Sequence, residues 1–150
     1  MQLIKDKHVT QDSWAFIADD VALNVDYNIV SQARWSKERE ELVKHGGQLG
    51  LRLESNAVVE EIVEDLSHFQ LIELHIPVFT DGRGFTHARV LRSRFGFDGD
   101  IRVSGDFMRD QVFYLNRVGV SSFELNDSDN AQEVIDSMGD ISVRYQESVA

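Results

Sequence analysis

Between Pro77 and Arg117 the chain sets two small polar clusters, each directly behind an apolar run. The first is Thr80, Asp81, Gly82, Arg83 and Gly84, with Thr86 two residues on; the second is Ser104, Gly105, Asp106, Arg109, Asp110 and Gln111. Two glycines permit close backbone approach and positive φ, and a following helix offers free N–H groups to an anion. Arg83 adds a planar fork of donors matched to sulfate, phosphate or carboxylate, and Thr80 and Thr86 add hydroxyls. Asp81, Asp106 and Asp110 in one cleft suit Mg²⁺ or acid–base work. A structural reading competes: Asp81 caps a tight turn, Asp106 caps the next helix, and Arg83 pairs with Asp106 or Asp110. The residue types leave both open. The loop has no P-loop lysine and is not GxGxxG, which disfavours ATP or NAD, and no cofactor is expected.

The same 41 residues hold seven arginines against five aspartates, in a chain whose net charge is −11. Arg89, Arg92 and Arg94 fall on the helix that the first loop opens. Arg89 and Arg92 are one turn apart, and solvation of the outer face is their simplest role. Arg102 lies in a strand between Ile101 and Val103 and alternates to the opposite face, at a sheet end or paired. The five histidines are scattered, with no HExxH, so no metal site is expected. His87, beside the first cluster, reads as a surface residue at a helix start, and no Ser-His-Asp arrangement is legible. Phe95, Phe97, Phe107, Phe113 and Tyr114 read as core or interface.

The elements that must position these clusters alternate. Tyr27–Ser31 reads as a strand and Arg34–Val43 as a helix ended by Gly46 and Gly47. Leu49–Leu53 is the next strand. Val59, Ile62, Val63 and Leu66 then recur at helical spacing. Leu71–Phe79 is the most apolar strand, near-continuous as in a parallel sheet buried on both faces, with Glu73 and His75 as interruptions. Ala88, Leu91 and Phe95 stripe a helix that stops at Gly96. Ile101–Ser104 is a strand, and Met108, Val112 and Leu115 stripe a helix ending at Gly119. Ser122–Leu125 is a short strand. Asp129 with Gln132 makes a capping box for a helix to Gly139, and Ile141–Tyr145 closes as a last strand. The expectation is an α/β fold of repeated β-α units with a mainly parallel sheet, an open sheet or a partial barrel, over residues 26–150. Residues 1–25 break the rhythm as an N-terminal hairpin or edge-strand extension. One α/β domain over 1–150 accommodates all of it.

Composition narrows the partners. No run approaches the roughly 20 apolar residues that span a bilayer, and no signal peptide is visible, so a cytoplasmic location is expected. The acidity argues against a nucleic-acid binder. The sequence has no cysteine, which removes disulfides, thiol redox chemistry and cysteine-ligated clusters.

The run from Phe79 to Arg117 resembles a bacterial family designated domain of unknown function nine-three-four, described as an oxidoreductase involved in sulfite reduction. The resemblance is carried by Phe79, Asp81, Gly82, Arg83 and Gly84, then Ala88, Leu91, Arg92, Gly99 and Arg102. It continues through Gly105, Asp106, Arg109, Asp110 and Gln111 to Arg117, Gly119 and Phe123. Upstream, Trp35 and Leu49–Leu53 also look like it. The chain departs from the family pattern at Phe85 and Thr86, where tyrosine then serine are usual, and at Asp100 and Val103, where glutamate and alanine are usual. The resemblance implies association with assimilatory sulfite reduction, beside a sulfite reductase haemoprotein as partner. With no cysteine and no dinucleotide fingerprint, the expected role is an accessory protein. The alternatives are a small oxyanion-binding enzyme or sensor, and a structural homo-oligomer whose arginines are all paired internally.

Overall fold

The computed structural model describes residues 2–6, 8–76, 83–105, 109–125 and 132–136. Eight strands form one curled half-barrel sheet: β1 (Gln2–Lys5), β2 (His8–Thr10), β3 (Ala15–Phe16), β4 (Asn28–Ser31), β5 (Leu49–Leu53), β6 (Leu71–Ile76), β7 (Asp100–Gly105) and β8 (Ser122–Leu125). Their order across the sheet is β2-β1-β8-β7-β6-β5-β4-β3. Every neighbouring pair from β3 to β8 is parallel; β1 joins β8 and β2 antiparallel. The N-terminal extension is therefore a hairpin at one edge of the sheet and an edge strand at the other.

Because strands β3 to β8 follow in chain order, right-handed crossovers place every connection on one face. That face holds the core. Val30, Leu51, Leu53, Ile72, Leu74, Ile101, Val103, Phe123 and Leu125 from the strands form one buried cluster with Trp35, Leu42, Val59, Ile62, Ala88, Leu91, Val112 and Leu115 from the connections. Each such side chain withdrawn from water contributes about 1.5–3 kcal/mol, which makes this face the main stabilising layer.

The connections differ in kind. Helix α1 (Gln32–His45) starts at Ser31, whose side chain accepts from the Arg34 N–H at 3.0 Å, and ends at Gly46 with φ 82°. Gly46 is thus the left-handed cap that the sequence predicts. The next connection is a 3-10 helix (Val59–His68), where an ordinary amphipathic helix is expected. It has no side-chain cap, and Val58, Val59, Ile62 and Val63 are all β-branched, which weakens α propensity. Helix α2 (Arg83–Arg89) runs into a π turn (Val90–Arg94), closed by Phe95 N–H to Val90 O at 3.1 Å. Helix α3 (Arg109–Arg117) links β7 to β8, and residues 132–136 are helical. The architecture is mixed α/β with a mostly parallel sheet. The expected cap at Asp129 and strand at Ile141–Tyr145 lie outside the described residues, as do the last three residues of the strand expected to reach Phe79. No helix among the described residues is long and apolar enough to cross a membrane.

Candidate functional site

β6 and β7 pair in parallel from Leu71↔Asp100 to Ile76↔Gly105, so both strands end side by side. The two polar clusters leave from these neighbouring ends. Gly105 is required there: its φ is +94°, and a Cβ would stand 2.1 Å from the carbonyl oxygen of Ile76. α2 follows β6, α3 follows β7, and the two helices pack against each other. Thr80, Asp81, Gly82 and Asp106 lie outside the described residues. Arg83 and Gly84 open α2, and Arg109 and Asp110 open α3; of their side chains only the helical position is described. Thr86 is an exposed residue of α2.

The opposite, inner face of the sheet carries a feature that sequence reading missed as a unit. Arg52, Glu73 and Arg102 stand in register across β5, β6 and β7, with Ser122 next on β8. Arg52 Nε donates to Glu73 Oε2, and its guanidinium lies 3.6 Å from the Phe16 ring centroid. Arg102 NH1 donates to both carboxylate oxygens of Asp12 at 2.9 Å. Glu73 and Arg102 are each only 1% exposed. Asp12 lies in the short link between β2 and β3, which joins the two edges of the sheet across this face, and Phe16 is in β3 itself. The connection from β3 to β4 is held in turn by Arg34, whose NH1 donates to the carbonyls of Ala18 and Val21 at 2.9 Å.

Two residues towards the strand ends, the row becomes His75 and Ser104, paired across β6 and β7 with Nδ1–Oγ 3.2 Å. Ser104 is buried and His75 half-buried. Val103 stands opposite Phe123, so the next residue, Glu124, extends the row onto β8. Burial, then the charges of Glu73 and Asp12, push the Glu124 carboxyl above its usual range, against the pull of Arg102 and Arg52. The order histidine–serine–glutamate is not that of an acyl-transfer triad, in which histidine stands between the acid and the nucleophile. Among the described residues no group of three or more His, Asp or Glu is placed to hold a metal ion.

Several arginines of the 77–117 stretch have structural work. Arg92 does not solvate the outer face. Its Nε donates to Gly119 O at 2.9 Å, and its NH1 to Phe97 O at 2.8 Å and Gly99 O at 2.7 Å. Burial lowers its pKa, opposed by Asp100 and Asp98. Gly119, at φ +112°, leaves room for that side chain, since a Cβ would lie 2.4 Å from Arg92 Cγ. Arg102 resolves as paired, to Asp12. Arg89 is exposed, as expected, and Arg94 is exposed beside Glu60 at 3.4 Å. His87 departs from expectation: it is buried near the end of α2, not on the surface at its start.

Residues 50–150 match the family model described as "Bacterial protein of unknown function (DUF934)". The chain belongs to the DUF934 family. The matched span of this DUF934 protein takes in both polar clusters, the Arg92 clamp and the inner-face residues from Arg52 to Glu124, while Asp12 and Phe16 precede it. No curated protein matches the sequence. The family description names no reaction, so sulfite reduction rests on the resemblance and not on the match.

Proposed function

We propose that this DUF934 protein is an accessory protein of assimilatory sulfite reduction that binds an oxyanion at the C-terminal edge of β6 and β7 and assists a sulfite reductase haemoprotein. The observation that carries the site is the parallel pairing of Ile76 with Gly105, from which the Thr80–Gly84 and Asp106–Asp110 segments leave neighbouring strand ends. Ligands of α/β sheets and barrels bind at the carboxyl ends of strands. Arg83 and Arg109 supply the donors, Thr80 and Thr86 the hydroxyls, and Asp81, Asp106 and Asp110 orient the arginines. The sulfite assignment and the haemoprotein partner draw on the family resemblance. The accessory role draws on the absence of cysteine from the sequence, which leaves electron transfer to the partner. The acidic net charge of −11 favours docking to a basic surface.

A deletion strain tests this directly. It should fail on sulfite as sole sulfur source, grow normally on sulfide, and be rescued by the native gene but not by Arg83→Ala. Normal growth of the deletion strain on sulfite would overturn the pathway assignment. The second reading, a small enzyme acting on the oxyanion, is favoured by the His75–Ser104 pair at the same strand ends. Turnover of sulfite by the purified protein with a chemical electron donor, in the absence of any haemoprotein, would select it.

A further inference from the structure

Arg102 stands among more carboxylates than it uses. On the inner face Lys5, Ser122, Arg102, Glu73 and Arg52 follow one another in register across β1, β8, β7, β6 and β5. Asp12 reaches this row from the link between β2 and β3. Asp100 lies two residues before Arg102 on β7, and Glu124 two residues after Ser122 on β8. Of the other titratable groups on this face, His8 is exposed opposite Lys5, His75 is bonded to Ser104, and Glu54 is exposed beyond the end of β5. Arg83 and Arg109 open helices beyond the strand ends, outside the row. Leaving Glu124 aside, three cations meet three carboxylates: Lys5 with Asp100, Arg52 with Glu73, and Arg102 with Asp12. With both histidines neutral, the row is balanced while Glu124 keeps its proton and gains one unmatched negative charge when the proton leaves.

The geometry gives that charge a place to go. Arg102 is 1% exposed; its NH1 is committed to Asp12, but its Nε has no hydrogen-bond partner among the described residues. A buried N–H without an acceptor is unfavourable, so the guanidinium gains from a second carboxylate. Ser122, which faces Arg102 on β8, is turned to Asp100 at 3.2 Å. Glu124 is the next residue of β8 on the same face. Protonated, its carboxyl is a weak acceptor; ionised, it matches an arginine fork. Burial and then the charge of Glu73 favour its protonated form, against Arg102. Asp12, for its part, holds a thin strap. Its neighbours Gln11 and Ser13 are exposed, and its Oδ1 also accepts the Trp14 N–H at 3.0 Å. The strap therefore depends on the carboxylate that Glu124 is placed to displace.

We infer that Glu124 is a proton-controlled rival of Asp12 for Arg102, and that loss of its proton draws the guanidinium off Asp12 and loosens the strap between β2 and β3. Arg102 is the two-position element: it fastens the strap in one pairing and closes on its own sheet in the other. The device uses none of the residues of the oxyanion reading and stands or falls apart from it.

The Trp14 amide, which donates to Asp12, reads the strap, and the carboxyl carbon NMR signal of Glu124 reads the proton. Hydrogen exchange of the full chain is followed from acid to neutral pH, each rate divided by that of the same amide in unfolded peptide. Glu124 should titrate above the usual glutamate range. Trp14 protection should fall about tenfold per pH unit between that usual range and the Glu124 titration, then level off. The Ile17 amide, which donates to Ile29 O at 2.9 Å, should keep its protection, because β3 stays on β4. In Glu124→Gln and in Arg102→Met the pH dependence at Trp14 should vanish. Trp14 protection that is flat with pH, or a Glu124 titration within the usual range, would overturn the inference on the unsubstituted protein alone. So would a fall at Trp14 that survives in Glu124→Gln, or one shared equally by Ile17.

Discussion

Asp12→Ala is the most informative single change, because it isolates the contact that ties the N-terminal segment to the middle of the sheet. Arg102 has a side-chain exposure of 2% and Asp12 one of 17%. Its NH1 donates to both carboxylate oxygens of Asp12, and its Nε has no hydrogen-bond partner among the described residues. Removing one partner of a buried pair costs about 3–5 kcal/mol, chiefly because the other charge is stranded. Here Glu73 and Glu124 remain nearby and compensate in part, which argues for the lower end, about 3 kcal/mol. For a chain of this size that is a fall of roughly 6–12 °C in Tm. Urea denaturation of wild type, Asp12→Ala, Arg102→Met and the double variant gives the numbers. In the Arg102→Met background no charge is left to strand, so Asp12→Ala should then cost under about 1 kcal/mol. An equal cost in both backgrounds, or a cost under about 1 kcal/mol in the wild type, would show that the pair does not fasten this segment.

Other outcomes follow from the same contacts. Arg92→Met should lose three charge-assisted bonds to carbonyls and destabilise by more than about 2 kcal/mol by urea denaturation. Gly105→Ala should be among the most damaging single-methyl changes, reducing soluble yield and Tm, since its Cβ would meet the Ile76 carbonyl at 2.1 Å in a left-handed backbone. Glu124 binds its proton more tightly when folded than when unfolded. Its contribution is therefore full below the unfolded carboxyl titration and is lost as pH rises through the raised, folded one. Glu124→Gln should remove that loss, so that the variant gains stability relative to wild type as pH is raised from 4 towards neutral; denaturation midpoints across that range read it.

The elements were legible where one physical signal dominated. Leu49–Leu53 and Ser122–Leu125 were readable to the residue because compact apolar runs lie between turn signals. Gly46 announced the end of α1 because only a left-handed residue fits that position. The run from Val59 to Leu66 showed helical spacing, yet i, i+3 spacing also serves a 3-10 helix, and β-branching decided between them. Leu71–Ile76 was the instructive case. It read as hydrophobic on both faces, although Glu73 and His75 are two apart, as are Arg102 with Ser104 and Ser122 with Glu124. Period two was present in three strands, and aligning them would have exposed a polar inner face. The partner of Arg102 was not readable at all, because Asp12 is 90 residues away and only the closing of the sheet brings it near.

That placement changes the meaning of the arginine-rich stretch. A concentration of positive charge suggests a patch, but the patch is divided by what each guanidinium touches. Arg92 is spent on carbonyls that join the ends of two connections, and Arg102 on fastening the segment that crosses the sheet. Neither can be surrendered to a ligand without unfolding its surroundings. Arg83 and Arg109 differ by position: each opens a helix directly behind one of two adjacent strand ends. Strands in chain order leave no reversal point in the middle of the sheet, so the crevice that serves doubly wound proteins has no counterpart here. The strand ends are then the remaining place where loops from two adjacent parallel strands can meet over one ligand, as they do at the open end of a barrel. A charge-neutralising variant of Arg83 should therefore change ligand binding with little change in stability, and one of Arg92 the reverse. The same variant panel, read once for unfolding and once for sulfate binding, separates the arginines that hold the fold from those proposed to bind the oxyanion.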